Sequence, residues 1–341
     1  MDRLRMSKSA LSAGLLTAFA LLPLLNATLA VAREEKAAAG PQIQVTMERL
    51  GNFCYAGEPI LVRVAIFNTG KTPYDNSKGI SLLGNVTVLD ATGTGMKKKA
   101  AVAFDARQQP AVVPAGGFFG IIADLREAVD GLDKPGQYAA RFQAPDLASD
   151  PVALVVIPKF DPRVRYRATL ETDFGSLALD LFGKEAPEHV HNFYDLANQG
   201  YYDGTLFHMI VKGIELRGGD RSGSGDTSPG YSLKPEIDKN LKHKRGSLSM
   251  LRGETSDHGS QFMIGLADGP KLDGQMTIFG TLAAGDDALA ALESLPTSGQ
   301  RSFPFFRPLK DAKIHSIRVA PAPAGAMATA EADTVTTPSK P

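Results

Sequence analysis

The stretch Leu206–Asp220, reading Leu-Phe-His-Met-Ile-Val-Lys-Gly-Ile-Glu-Leu-Arg-Gly-Gly-Asp, constrains the fold more than any other part of this chain. Two apolar runs meet at Gly213 and stop at Gly218-Gly219, the pattern of a strand, a tight turn and a second strand. Phe207, Ile210 and Leu216 are apolar, yet His208, Glu215 and Arg217 sit between them. One face of this hairpin is therefore polar where a purely structural hairpin does not require it, and the stretch carries chemistry or once did.

The surrounding sequence supplies further elements. Tyr166–Thr172 and Gly175–Phe182 read as a hairpin about Asp173-Phe174-Gly175, with Leu177, Leu179 and Leu181 alternating with Ala178 and Asp180. Glu185–Gln199 reads as a helix with Pro187 in its first turn and Gly200 past its end, packing Val190, Phe193, Tyr194 and Ala197 on one side. On it, His189 and His191 are two apart and point about 200° apart, which makes both surface or packing residues rather than metal partners. Asp286–Leu295 is a second helix ended by Pro296, and Lys313–Val319 is the last strand. Gly218–Tyr231 holds five glycines but lacks the Lys-Ser/Thr ending of a nucleotide loop, and Pro229 and Pro235 break the helix that would follow.

Five ordered blocks resemble the cyclophilins, the peptidyl-prolyl cis-trans isomerases. They are Asn192-Phe193 with Tyr202-Asp203-Gly204-Thr205; Phe207-His208 with Gly213 and Gly218-Gly219-Asp220; Arg245–Met250; Gly259–Ile264; and Leu272-Asp273-Gly274 with Phe279-Gly280. The resemblance spans about residues 165–320 and implies a closed β-barrel capped by two α-helices, with the glycine-rich loop bending close to its rim.

No cysteine nucleophile, Gly-x-Ser-x-Gly elbow or paired carboxylate motif appears, which leaves little room for hydrolytic chemistry. Proline isomerisation needs none of these. The amide resists rotation by about 18–20 kcal/mol, and a surface that desolvates it and bonds to its twisted form lowers that barrier. The resemblance implies that His208, Gln261 and Phe262 stand in catalytic positions and that Leu272 keeps an apolar wall, with Leu251 also lining the substrate site. The family arginine is replaced by Met209. Other departures are Ile214 for an aromatic, Arg217 for a Gln, Met263 for a Phe, Lys271 for a Trp of some members, and Met276 for a His. Ile214, Met263, Leu272 and Met276 keep the site apolar, but a thioether cannot donate to a twisted amide. Arg217 is a candidate substitute; alternatively it points to solvent or pairs with Glu215 or Asp220.

Ahead of this region the texture differs. Arg3, Arg5 and Lys8, the apolar run Ala10–Leu25 and Ala30-Val31-Ala32 read as an export signal over residues 1–32, with an uncleaved membrane anchor as the alternative. From residue 41 to 158, β-type runs at Ile43–Met47, Ile60–Phe67, Asn85–Leu89, Ala100–Phe104, Phe118–Leu125, Gln137–Phe142 and Val152–Ile157 alternate with turns, as in an antiparallel β-sandwich. The pattern around Gly57–Gly70 and Lys134–Phe142 weakly resembles bacterial immunoglobulin-like domains. This domain is expected to be a spacer or to dock another protein or an envelope component. Residues 159–164, with Pro158 and Pro162, read as a linker, and 321–341 as a disordered tail.

With 37 basic against 37 acidic residues, nothing suggests a nucleic-acid partner, and Lys97–Lys99 is a solvated run. A single cysteine, Cys54, excludes an intramolecular disulfide. The expectation is a mainly β, two-domain exported protein: a β-sandwich, then a cyclophilin-like barrel that isomerises proline-containing polypeptides with impaired turnover and without metal or cofactor. A proline-peptide-binding module and a structural adaptor that binds through the sandwich are the alternatives.

Overall fold

Branched residues at alternate positions make Leu61–Asn68 a strand with one apolar side, and Val62, Val64 and Ile66 are buried on it. The computed structural model describes residues 42–99, 109–253, 257–301 and 303–323. The first compact unit ends at Pro158. Its strands are β1 (Ile43–Arg49), β2 (Cys54–Tyr55), β3 (Leu61–Asn68), β4 (Tyr74–Asp75), β5 (Val86–Asp90), β6 (Val112–Val113), β7 (Phe118–Asp124), β8 (Gly136–Ala144), β9 (Leu147–Ala148) and β10 (Val152–Ile157). One sheet runs β1-β3-β7, another runs β2-β10-β8-β5 with β9 on β8, and β4 pairs with β6. Val45, Val64 and Ile66 from the first and Val86, Phe142 and Leu154 from the second share one buried cluster, so the two sheets cover each other's apolar sides. The pairing is not wholly antiparallel, because β2 runs parallel to β10. The two-residue strands β2, β4, β6 and β9 are absent from the sequence expectation, since two residues carry no period. The expected signal at 1–32 and strand at Ala100–Phe104 lie outside the described residues.

The second unit starts at Lys159. The segment expected as linker packs onto it: the Phe160 ring stacks 5.1 Å from Tyr166 and 4.5 Å from His191. The Asp161 amide donates to the Tyr166 hydroxyl at 3.0 Å. Next come β11 (Tyr166–Thr172), β12 (Gly175–Leu181), α1 (Pro187–Asn198), β13 (Met209–Val211), β14 (Glu215–Gly218), β15 (Ser232–Leu233), β16 (Ser247–Arg252), β17 (Asp257–Gly265), β18 (Ile278–Ala284), α2 (Asp286–Ser294) and β19 (Ile314–Pro321). The last strand therefore reaches Pro321, where a disordered tail was expected; beyond Pro323 the tail lies outside the described residues.

These nine strands make one sheet in the order β13-β14-β17-β16-β18-β12-β11-β19, with β15 on β17. It is a half-barrel, which corrects the expected closed barrel. Strands β13 and β19 are not paired in a ladder; the segment ahead of β13 meets the entry to β19 through an isolated Leu206–Lys313 bridge and the bonds Gly204 N–H to Ile314 O, Ile314 N–H to Thr205 O and Phe207 N–H to Ala312 O, of 2.8–2.9 Å. The reason lies between α2 and β19, where the chain doubles back through a Thr297–Pro308 bridge and reaches β13 by one bond, Ile210 N–H to Phe306 O at 2.9 Å, instead of continuing the ladder. Inside the sheet, Phe193 of α1 packs against Tyr202, Phe262 and Phe279 with ring centroids 5.2–5.8 Å apart. That aromatic core fixes α1 over β17, the strand on which the candidate site depends.

Candidate active site

In an antiparallel ladder, residues directly opposite share a face, and neighbours along a strand alternate faces. Across β13, β14, β17 and β16 the register aligns Ile210, Leu216, Ile264 and Leu248, all fully buried. One residue along, it aligns Met209, Arg217, Met263 and Ser249. This second row is the outer face, since Met209 and Arg217 are only half-buried. Three residues singled out from sequence, Met209, Arg217 and Met263, thus stand side by side. Ser249 joins them without having been anticipated, and its buried hydroxyl has no hydrogen-bond partner.

Arg217 is tied along its own strand. Its Nε and Nη2 both donate to Glu215 Oε1, at 2.9 and 2.5 Å, and the guanidinium keeps 34% of its side-chain surface exposed against 11% for Glu215. Glu215 precedes Arg217 by two residues, so both carboxylate and guanidinium belong to the outer face. Of the alternatives open at the sequence level, Arg217 pairs with Glu215 while staying beside Met209.

Gln261 lies two residues before Met263 on β17 and is buried. Its Nε2 donates to Gly225 O at 2.9 Å and Thr227 O at 2.8 Å, so both amide hydrogens hold the glycine-rich loop. The loop is organised from within by Asp220, which the sequence marks only as part of the Gly-Gly-Asp block and as a possible partner of Arg217. The Asp220 carboxylate accepts from the Ser222 amide and hydroxyl, the Gly225 amide and the Thr227 hydroxyl. Burial alone would raise its pKa, but the hydroxyl and amide donors outweigh this and hold it well below the usual carboxylate range. Gly219, at φ +89°, lets the chain enter this loop, because a Cβ there would lie 2.3 Å from Ser260 O.

His208 takes a flanking place rather than one in the row. Its amide donates to Arg217 O, its ring is backed by Gly225, and its buried Nδ1 has no hydrogen-bond partner. The ring borders a small cleft at the half-barrel seam with Leu206, Arg307 and Asp311. Burial depresses its pKa, and Arg217 and Arg307 add to this against Asp220, which keeps the imidazole neutral at pH 7.

Two expected site residues are placed elsewhere. Phe262 is fully buried against Phe193, Tyr202 and Phe207, because the strand period that turns Gln261 and Met263 outward turns Phe262 inward. It supports the site as core. Ile214 occupies the tip of the β13–β14 hairpin, 56% exposed, and walls nothing. Leu251 is buried where the β16–β17 register slips between Met250 and Arg252. Leu272 and Met276, both half-buried, lie on a neighbouring turn that Arg252 ties in through Gln275 O at 2.6 Å and Asp273 holds through the His243 amide at 2.8 Å.

A further correction concerns His189. It is fully buried, with Nδ1 2.6 Å from Glu236 Oε2 and Nε2 3.0 Å from Asp257 Oδ2. Thr277 donates its hydroxyl to the same Asp257 oxygen, and Glu236 also accepts from the His189 amide at 3.0 Å, capping α1 from a distant loop. Burial pushes the imidazole pKa down, but the two carboxylates prevail and raise it. His191, by contrast, stacks on Phe160 and pairs with Asp195 at 3.3 Å.

Comparison with known proteins places the second unit in a family. The family model for cyclophilin type peptidyl-prolyl cis-trans isomerases matches residues 167–319. A peptidyl-prolyl cis-trans isomerase of Helicobacter pylori is 38% identical over 147 residues, 43% of this chain and 90% of that protein. The Arabidopsis thaliana isomerase CYP18-2 is 39% identical over 155 residues, 44% of this chain and 92% of its own length. Among solved structures, a cyclophilin-type isomerase of Cryptosporidium parvum aligns at TM-score 0.44 and 32% identity, covering 47% of this chain and 99% of that one. Through residues 167–319, therefore, the chain belongs to the cyclophilin-type peptidyl-prolyl cis-trans isomerase family.

Proposed function

We propose that the second unit isomerises prolyl bonds in exported polypeptides, with the outer row as its peptide-binding face and Arg217 as its guanidinium. The observation that carries this is the cross-strand row Met209–Arg217–Met263, which puts a guanidinium directly opposite the position where the family has arginine. Of the apolar side chains, Met209, Leu272 and Met276 are half-buried and offer surface for the proline ring, Met263 and Leu251 being buried, and the neutral imidazole of His208 flanks it. Isomerisation on such a face needs only desolvation of the amide and a donor that follows its twist. Turnover is reduced, because Glu215 holds two of the Arg217 donors and the Met209 thioether supplies none. That same commitment favours a second reading, a proline-peptide-binding module with little turnover.

Export rests on the signal pattern of residues 1–32, and it makes unfolded envelope or secreted polypeptides the substrate class. The two sheets sharing one core in the first unit support an immunoglobulin-like spacer or docking domain. The test is a protease-coupled proline-isomer assay on the full chain, joined to amino-terminal sequencing of the exported product. The proposal expects isomerisation faster than the uncatalysed time of about 10–100 s, from a mature chain beginning at Arg33. Peptide binding without acceleration selects the binding module, and intact Met1 in the membrane fraction overturns export as a soluble protein.

A further inference from the structure

We propose that the hairpin Pro296–Leu309 is a second contact surface for the substrate polypeptide, taking large apolar side chains three or four residues from the isomerised proline. The inference rests on the outer row being the peptide face. Phe303 is 85% exposed, Phe305 48% and Leu309 70%, which places three of the large exposed apolar residues within seven positions. The Phe303 and Phe305 rings meet edge to face at 5.7 Å and 87°.

Hydrogen bonds among the described residues 296–301 and 303–309 hold these rings at the surface. Phe306 N–H donates to Gly299 O at 3.1 Å, Arg307 N–H to Ser298 Oγ at 3.1 Å, the Ser298 hydroxyl to Pro304 O at 2.6 Å, and Leu309 N–H to Pro296 O at 2.9 Å. Phe306 itself is kept at φ +54°, a region where bulky side chains persist only when surroundings enforce it. Exposed aromatic area fixed in this way gains free energy only when something covers it.

Both anchors of the hairpin are elements of the candidate site. Ile210, next to Met209 on β13, donates to Phe306 O, and Arg307 Nη1 donates to Gly223 O of the glycine-rich loop at 3.0 Å. Phe306 lies about one strand spacing, about 4.8 Å, from β13, and Phe303 is three residues from it and so at most about 10 Å away, a span that an extended peptide at about 3.4 Å per residue covers in three or four residues. Continuity with the outer row therefore selects an extended substrate segment as the occupant over a second copy of the chain or a lipid surface.

The experiment compares the full chain with Phe303→Ser/Phe305→Ser on two proline peptides, one a short polar tetrapeptide and one carrying Phe and Leu three and four residues from the proline. The proposal expects the variant to lose about tenfold in kcat/KM on the longer peptide, equivalent to about 1.4 kcal/mol, and to keep its rate on the short one. Phe303→Leu/Phe305→Leu is expected to retain most of the rate on both. Equal rates of variant and parent on the longer peptide overturn the proposal, and so does an equal loss on both peptides, which marks a purely structural role. If the parent isomerises neither peptide, the proposed activity has failed, and the hairpin is judged by peptide affinity: a variant binding the longer peptide as tightly as the parent overturns it. Loss of self-association or of binding to anionic vesicles with unchanged peptide kinetics also overturns it.

Discussion

Exchanging the guanidinium between β14 and β13 probes the catalytic face most directly. Arg217 and Met209 are paired residues of adjacent strands, so their Cβ atoms lie about 4.5–5.5 Å apart, and a side chain from either reaches the same bound amide. Glu215 occupies the Nε and one Nη hydrogen of Arg217, which leaves three of five donors for substrate. A hydrogen bond from a charged donor contributes about 1.5–3 kcal/mol. At about 1.36 kcal/mol per decade this corresponds to about one to two decades of rate. Arg217→Ala is therefore expected to lower the residual kcat/KM by about tenfold or more. Met209→Arg should raise it by about 10–100-fold with little change in KM, since the added donor acts on the twisted amide. Placing two guanidiniums directly opposite one another costs stability, about 1 kcal/mol or less. Met209→Lys serves as control, because a point charge without the planar fork should recover less. The measurement is the initial rate in a protease-coupled proline-isomer assay across substrate concentrations. A parent protein with a substantial rate that neither Arg217→Ala nor Met209→Arg alters would refute the assignment, for then no guanidinium on this row takes part.

Two further outcomes follow from the buried acids. Asp220→Asn removes the charged acceptor of the glycine-rich loop and should open it to proteolysis between residues 221 and 230, read by mass spectrometry, with Gln261 losing its anchor. Because the folded pKa of Asp220 lies below its unfolded value, its contribution is present above the unfolded value of about 4 and is lost only as pH falls through the lower folded one, so the loop should stay protected at pH 4–5. For His189 the sign reverses: the folded pKa is raised, so its contribution is complete below the unfolded value of about 6.5 and fades as pH rises through the folded one. His189→Gln should therefore cost more at pH 6 than at pH 9, about 3–5 kcal/mol at the lower pH, measured as the shift in the thermal transition. A difference that grows with pH would contradict the charged relay.

How much was legible from sequence follows physical lines. The hairpin Leu206–Asp220, both helices, the first hairpin and last strand of the second unit and the longer strands of the first unit announce themselves, because apolar period and Gly or Pro punctuation are local properties of the chain, whereas β16, β17 and β18 were marked only by their family blocks. The family blocks were legible too, since Gly219 answers a backbone approach that admits no Cβ. What tertiary structure alone decided was direction and partnership. Phe262 and Met263 are neighbours in sequence, yet register sends one into the core and the other to the outer row. A helical projection puts His189 and His191 on opposite sides but assigns partners to neither, and only the fold brings Glu236 and Asp257, 47 and 68 residues away, to the first of them. Closure was decided the same way: whether β13 meets β19 depends on where the Pro296–Leu309 turn lies, a through-space property that no period encodes.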